Sequence, residues 1–180
     1  MAEKEENAIV LDYLPYGYPL EDKMMPIAQA IGSKNLTLLQ LVPRRGVKLE
    51  VGEEVYIGEG KRDKVYYILG KIQESKLTET SKRQLEDFIK NLITEKEQVI
   101  VDFFNTAEAI NTRLHQFELL PGFGKKHTEA ILEERNKKPF ESLTDLKDRV
   151  SNLPDPKKTV EKRYWDEIMG REKYFLFVGK

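Results

Sequence analysis

Hydrophobic positions along the chain follow two rhythms, and the change comes near residue 75. Before it, the runs "AIVLDYL", "NLTLLQLV", "VGEEVYIG" and "KVYYILGKI" are short, rich in β-branched and aromatic residues, and separated by the turn signals "PYGYP", "PRRG" and "GEGKRD". This spacing predicts strands, and four or five of them suit a small closed barrel. "VYIGEGKRDKVYYI" reads as a hairpin with Gly58, Gly60, Lys61, Arg62 and Lys64 at its tip, and "EDKMMPIAQAIG" reads as room for a short helix between the first two strands. After "LTETS", Leu85, Phe88, Ile89, Leu92 and Ile93 recur at helical spacing, so one face of that segment is apolar and the segment is expected to be a helix. Further helices are expected over "EKEQVIVDFF", "NTRLHQFEL", "KKHTEAILEER", "TDLKDRV" and "VEKRYWDEI", with Asn111 and Ser142 as N-caps. Asp145, three positions after Ser142, strengthens that second start. The expected organisation is a barrel over 1–77, a helical region over 78–172, and a terminal strand or apolar arm over 173–180, "KYFLFVGK".

Composition narrows the chemistry. A 180-residue chain that is 39% hydrophobic and 34% charged is ordinary for a globular protein with a real core. The net charge of -1 means that any phosphate binding must be local, not a property of the whole surface. The chain has no cysteine, which removes disulfides, zinc–thiolate sites and thiol nucleophiles together. No apolar run approaches the ~20 residues that span a bilayer, and the acidic start "MAEKEENAIV" is unlike a secretory signal, so a cytoplasmic protein is expected.

The chemically suggestive stretch is "LLPGFGKKHTEAILEER", residues 119–135. Pro121, Gly122, Phe123 and Gly124 make a tight turn whose glycines permit positive φ and close approach by another molecule. The amides from Gly122 to Lys126 are expected to be open donors at a helix start, favoured by the helix dipole and by Lys125 and Lys126, with His127 close by. Phe123 is expected to point into the core and pin the turn.

On these residues, with the trailing "PFESLTDLKDRV", the segment resembles the helix-hairpin-helix motif of non-sequence-specific nucleic-acid-binding proteins. That resemblance implies backbone nitrogens gripping a sugar-phosphate backbone. It also implies a possible monovalent cation (K+ or Na+) at the carbonyls of Glu118, Leu120 and Phe123, with no other cofactor. "NLPDPKKTVEKRYWDEI" echoes the motif, but Asp155 and Pro156 replace the Gly-apolar-Gly turn, which makes a structural role the expectation there. Over nearly its whole length, through "YLPYGYP", "LLQLVPRRG", "VYIGEGKRDKVYYILGKI" and the hairpin region, the chain is similar to an archaeal family of uncharacterised proteins predicted to bind nucleic acid. In that family an OB-like barrel precedes this helical region. The resemblance implies an α+β fold, an N-terminal OB-like β-barrel followed by an α-helical helix-hairpin-helix domain.

Other candidates carry a bland reading beside the sharp one. Arg44 and Arg45 at the "PRRG" turn and Lys61 with Arg62 at the expected hairpin tip serve either phosphates or solvent. Tyr16, among barrel tyrosines that include Tyr13, Tyr18, Tyr56, Tyr66 and Tyr67, is either a stacking platform or packing. His115 and His127 lack the spacing of zinc ligands. "GEGKRDK" completes neither a P-loop nor a dinucleotide fingerprint, and no nucleophile elbow is present. Asp145 alone imitates the catalytic aspartate of DNA glycosylases, and a helix cap explains it as well. The expectation is therefore a binding protein and not an enzyme, with structured nucleic acid as ligand and RNA favoured over DNA by the family resemblance. The alternative is a protein-interaction scaffold for a ribosomal or RNA-processing partner, with a glycosylase or lyase a distant third.

Overall fold

The computed structural model describes residues 4–179. The chain forms two compact units. One runs up to Phe88 and includes Ile168–Arg171 and the residues from Phe177; the other comprises Ile89–Glu167 and Glu172–Leu176.

Five strands build the first unit: β1 (Asn7–Leu14), β2 (Ile27–Gly32), β3 (Leu38–Pro43), β4 (Glu54–Tyr56) and β5 (Val65–Lys71). They form one antiparallel sheet, curled into a half-barrel, in the order β4-β1-β2-β3-β5. Inside the curl, Ala8, Val10, Ala28, Ala30, Leu41, Val55, Ile57 and Val65 form the core. A bulge between Val10 and Asp12 sets Asp12 opposite Gln29, where its carboxylate accepts from Thr78 Oγ1 at 2.6 Å. Gln29 is fully buried: its Nε2 donates to the Lys76 carbonyl at 2.7 Å, and its Oε1 accepts from Thr78 N at 3.1 Å and Ser81 Oγ at 2.6 Å. Residues 76–81 therefore seal the sheet around Gln29.

Two expectations for this unit fail for identifiable reasons. The stretch read as a short helix contains β2, every residue of which is buried. A strand covered on both faces loses its alternation and reads as a continuous apolar run. The expected hairpin between β4 and β5 does not form either, because Val55 pairs with Ala8 and Ile68 with Leu41, so the two strands are opposite margins of the sheet. Residues 57–64 cross between those margins, and the sheet is open there instead of being a closed barrel.

The helix α1 (Glu79–Glu95) matches the predicted periodicity, with Leu85, Ile89, Leu92 and Ile93 buried, and the division between the units falls within it. The second unit continues with α2 (Glu97–Thr106), a small ribbon of β6 (Ala109–Asn111) and β7 (Leu114–His115), a 3-10 turn over Gln116–Leu119, α3 (Lys125–Lys137), α4 (Leu143–Arg149) and α5 (Pro156–Ile168). Phe104, Phe117 and Phe123 meet in its interior, with ring centroids 5.5 and 6.2 Å from Phe104.

Ser142 caps α4 as expected, accepting from Asp145 N at 2.9 Å. Asn111 caps no helix. Its side chain accepts from Arg113 N at 2.8 Å and closes the turn of the β6–β7 ribbon, a local bond that competes with helix formation. His115 is the residue that caps the turn after it, accepting from Phe117 N at 3.1 Å while Glu118 reaches back to His115 N at 2.8 Å. Residues 173–179 form bends and a turn, not a strand; Lys180 lies outside the described residues.

Candidate functional site

The Pro121–Gly124 turn joins the 3-10 turn to α3. Gly122 has φ +80°, a backbone conformation that favours glycine, and a Cβ there would press closely on Pro154 Cγ at 3.2 Å. Gly124 is different. Its φ of -114° and ψ of -171° are extended backbone open to any residue, and a Cβ there would meet nothing within 4 Å. The expectation that both glycines supply positive φ is therefore corrected to Gly122 alone.

The amides are also fewer than expected. Phe123 N donates to the Leu120 carbonyl at 3.1 Å, and Gly124 N donates to His127 Nδ1 at 3.0 Å. The donors left at the helix start are those of the first turn, Lys125 to His127, which have no partner within the helix. Because His127 Nδ1 accepts, its Nε2 carries the hydrogen and donates to the Asn152 carbonyl at 3.1 Å. Phe123 is buried, so only its backbone belongs to the turn's surface. Lys125 and Lys126 are exposed and form no ion pair among the described residues.

The second turn, Asn152–Asp155, packs beside the first through Pro154 and Asn152. There the residue preceding the helix is Asp155, whose Oδ1 accepts from Lys157 N at 3.0 Å and Lys158 N at 3.4 Å. The two helix starts are chemically opposite: a carboxylate fills the donors of α5, while glycine leaves those of α3 without a side-chain cap.

Sequence reasoning missed the residue that fixes the chain entering the first turn. Arg163, fully buried on α5, donates to the Leu119 carbonyl at 3.0 Å and to the Tyr174 carbonyl, and pairs with Glu167 at 2.8 Å and Glu172 at 2.9 Å. Its only sequence signal is the i,i+4 spacing to Glu167, which surface pairs share. Beside the same turn, burial of the His115 ring and the nearby Arg135 charge hold the His115 pKa below the ordinary histidine value.

The proposed cation ligands are backbone oxygens. Leu120 already accepts one hydrogen bond, which leaves its carbonyl a second lone pair, and the Glu118 carboxylate is turned to His115 N. Among the described residues no cluster of three or more His, Asp or Glu side chains could hold a metal ion. Asp145 is engaged by Glu141 N at 3.0 Å and Arg149 Nη1 at 3.1 Å, and these bonds hold its carboxyl below the usual range.

The other candidate residues belong to the first unit. Arg44 Nε donates to the Arg62 carbonyl at 2.6 Å, and Arg62 Nε to the Gly58 carbonyl at 2.7 Å, so these two come together on the crossing loop. Arg45 and Lys61 are exposed, and Tyr16 is 72% exposed on the loop between β1 and β2.

An open five-strand antiparallel sheet in one unit and a helical unit with two side-by-side turns define a mixed α+β protein with no helix long and apolar enough to cross a membrane among the described residues. The chain belongs to the family described as a protein of unknown function, DUF655, which it matches over residues 4–179. It is similar to an uncharacterized protein, MJ0038, of Methanocaldococcus jannaschii: 41% identical over 176 residues, spanning 97% of this chain and 80% of that protein. It is also similar to the crystal structure of Af1531 from Archaeoglobus fulgidus, with a TM-score of 0.80 and 42% identity, covering 96% of this chain and 99% of that one. The resemblance to an uncharacterised archaeal family seen in the sequence is thereby established.

Proposed function

We propose that this protein binds structured nucleic acid, RNA in preference to DNA, by its sugar-phosphate backbone at the start of α3. In this reading the two turns and their helices are paired helix-hairpin-helix elements, one that binds and one that only packs. A monovalent cation at the Glu118, Leu120 and Phe123 carbonyls would complete the binding turn. The half-barrel is read as OB-like from its strand order, with Arg44, Arg45, Lys61, Arg62 and Tyr16 as a second contact surface.

The observation that carries the proposal is the contrast between Gly124 and Asp155. Of two neighbouring helix starts, each with a lysine pair in its first turn, one has its amides capped by a carboxylate and the other has no side-chain cap, the arrangement that suits an anion. Nothing in that arrangement reads a base edge, so sequence preference is expected to be weak. Fluorescence anisotropy of a labelled RNA hairpin across a salt series tests it. Three to five phosphate contacts predict a slope of log K on log salt of about -2 to -4. Absence of binding, or tight binding indifferent to salt, would overturn the reading.

A second reading, a protein-interaction scaffold, draws on the loop between β1 and β2, where Leu20 and Met24 are exposed alongside Tyr16. Crosslinking in cells that captured protein but neither RNA nor DNA would favour it.

A further inference from the structure

We infer that a groove at one end of the half-barrel takes an unpaired base of a single-stranded nucleic acid, stacked on Tyr66, with the flanking phosphates held by Arg44, Arg45 and Lys48. The inference rests on the nucleic-acid reading above and deepens it: the ligand class is single-stranded, and the site, which shares Arg44 and Arg45 with the second contact surface, is separate from the start of α3.

The groove has a volume of about 550 Å³ and is bordered by the ends of β1 and β3, the beginnings of β2 and β5, and the turn after β3. Tyr13, Met25 and Tyr66 give it aromatic and apolar walls. Its charged lining residues are Arg44, Arg45 and Lys48, all exposed, with no carboxylate among them. Arg45 and Lys48 form no ion pair among the described residues, and Arg44 commits only its Nε, to the Arg62 carbonyl. An apolar slot rimmed by cations that have no carboxylate partner among the described residues is complementary to a flat π-system carrying anionic groups on either side.

Tyr66 suits a stacking role. It is 64% exposed on the marginal strand β5, which leaves much of its ring open to a ligand, and Tyr67 meets that ring in an edge contact with centroids 5.4 Å apart. The Tyr67 hydroxyl in turn lies 3.6 Å from Met25 Sδ.

Two other places on this unit lack the same chemistry. The sheet around Gln29 is sealed by residues 76–81 and presents no open platform. A larger groove of about 1010 Å³ near the N-terminal segment includes Glu5, Glu6 and Glu59 among its lysines. Glu59 pairs with Lys4 there, and Glu5 occupies the amides of Lys34, Asn35 and Thr37, so three carboxylates line a groove that an anionic strand would have to enter.

The test uses the full chain and three fluorescein-labelled probes: a single-stranded RNA of about eight nucleotides, within the span of such sites, an abasic strand of equal length, and a blunt RNA duplex. The parent is expected to prefer the base-bearing strand to the abasic one by roughly tenfold. Tyr66→Ala, at an exposed position, should weaken single-strand binding by roughly tenfold, leave duplex binding unchanged, and be rescued by Tyr66→Trp. Arg45→Ala with Lys48→Ala should make the single-strand salt slope shallower by about 1 to 1.5. Equal binding of abasic and base-bearing strands, or a Tyr66→Ala variant that binds the single strand like the parent, overturns the groove while duplex binding leaves the helix-turn reading intact. A parent that binds none of the three probes overturns both. Loss of duplex and single-strand binding together in Tyr66→Ala would also refute a separate site.

Discussion

Placing a carboxylate at Gly124 should weaken the proposed phosphate capture by well over tenfold while leaving the fold untouched. The position has extended backbone and open space for a Cβ, so Gly124→Asp introduces no backbone strain. The new side chain should do on α3 what Asp155 does on α5, accepting from the second and third amides of the helix. Glycine and aspartate differ by only a few tenths of a kcal/mol as N-caps, so the urea midpoint should stay put or rise slightly. Binding is another matter. A phosphate at the same amides would lose charge-assisted hydrogen bonds of about 1.5 to 3 kcal/mol each. It would also meet a like charge whose repulsion at ~4 Å runs from about 1 kcal/mol in water to about 4 at an effective dielectric near 20. One lost bond and the fully screened repulsion already sum to about 2.5 kcal/mol, or roughly sixtyfold in Kd. Gly124→Asn caps without charge and should lose about tenfold from one displaced bond alone. Lys125→Ala with Lys126→Ala removes two exposed, screened charges and should weaken binding less than the aspartate does. Anisotropy with a labelled RNA duplex, on variants shown to be folded by circular dichroism and urea titration, measures all three. A folded Gly124→Asp protein that binds like the parent, while the double-lysine variant loses everything, would refute the reasoning and reduce the site to a charge patch.

Two further predictions concern the frame around that site. Arg163→Met leaves the fully buried Glu167 without its guanidinium and should cost about 3 to 5 kcal/mol, whereas Arg163→Met with Glu167→Leu should recover only part of it, because the Leu119 and Tyr174 carbonyls and the Leu176 amide lose their side-chain partners; urea titrations of the three proteins decide, and a single variant within ~1 kcal/mol of the parent would refute the role assigned to the pair. The lowered pKa of His115 makes its neutral form the folded one, so the unfolded chain takes up the proton first as pH falls. The stability it contributes is complete above about pH 6.5 and is lost progressively below that, toward the folded value. Thermal melts between pH 7.5 and 5.5 should show that decline, flattened in His115→Gln, and an unchanged slope in the variant would count against it.

What was legible in the sequence is what depends on near neighbours. Ser142 and Asp145 lie three residues apart, and their bond follows from helix geometry alone. The α1 periodicity survives because that helix keeps an exposed face, and the Pro121–Gly124 turn is recognisable because a left-handed Gly122 is a local requirement. β2 was misread because burial on both faces erases the alternation that identifies a strand. The partners of β4 and β5 were misassigned for a different reason: Val55 pairs across 47 positions with Ala8, and no feature of the intervening loop announces it. Asn111 failed as a cap because the same side chain suits a tight turn equally well, and the choice was made by the ribbon's second strand. Arg163 was invisible because its partners, Leu119 and Tyr174, contribute only backbone oxygens, which any residue type supplies.

The Gln29 amide has a consequence for how such chains can diverge. Its oxygen and nitrogen serve Lys76, Thr78, Ser81 and the Tyr18 hydroxyl at once. An apolar replacement strands several buried polar groups together, so no single compensating change repairs the loss. Substitutions at 18, 29, 78 and 81 should therefore be inherited as a set, with the intermediates purged, whereas position 124, where a side chain would meet nothing within 4 Å, is free to vary one step at a time. Drift at these two places runs on different clocks. Among descendants of one ancestor, the seal over the sheet would record common descent, and the residue before α3 would record what each descendant was still selected to hold.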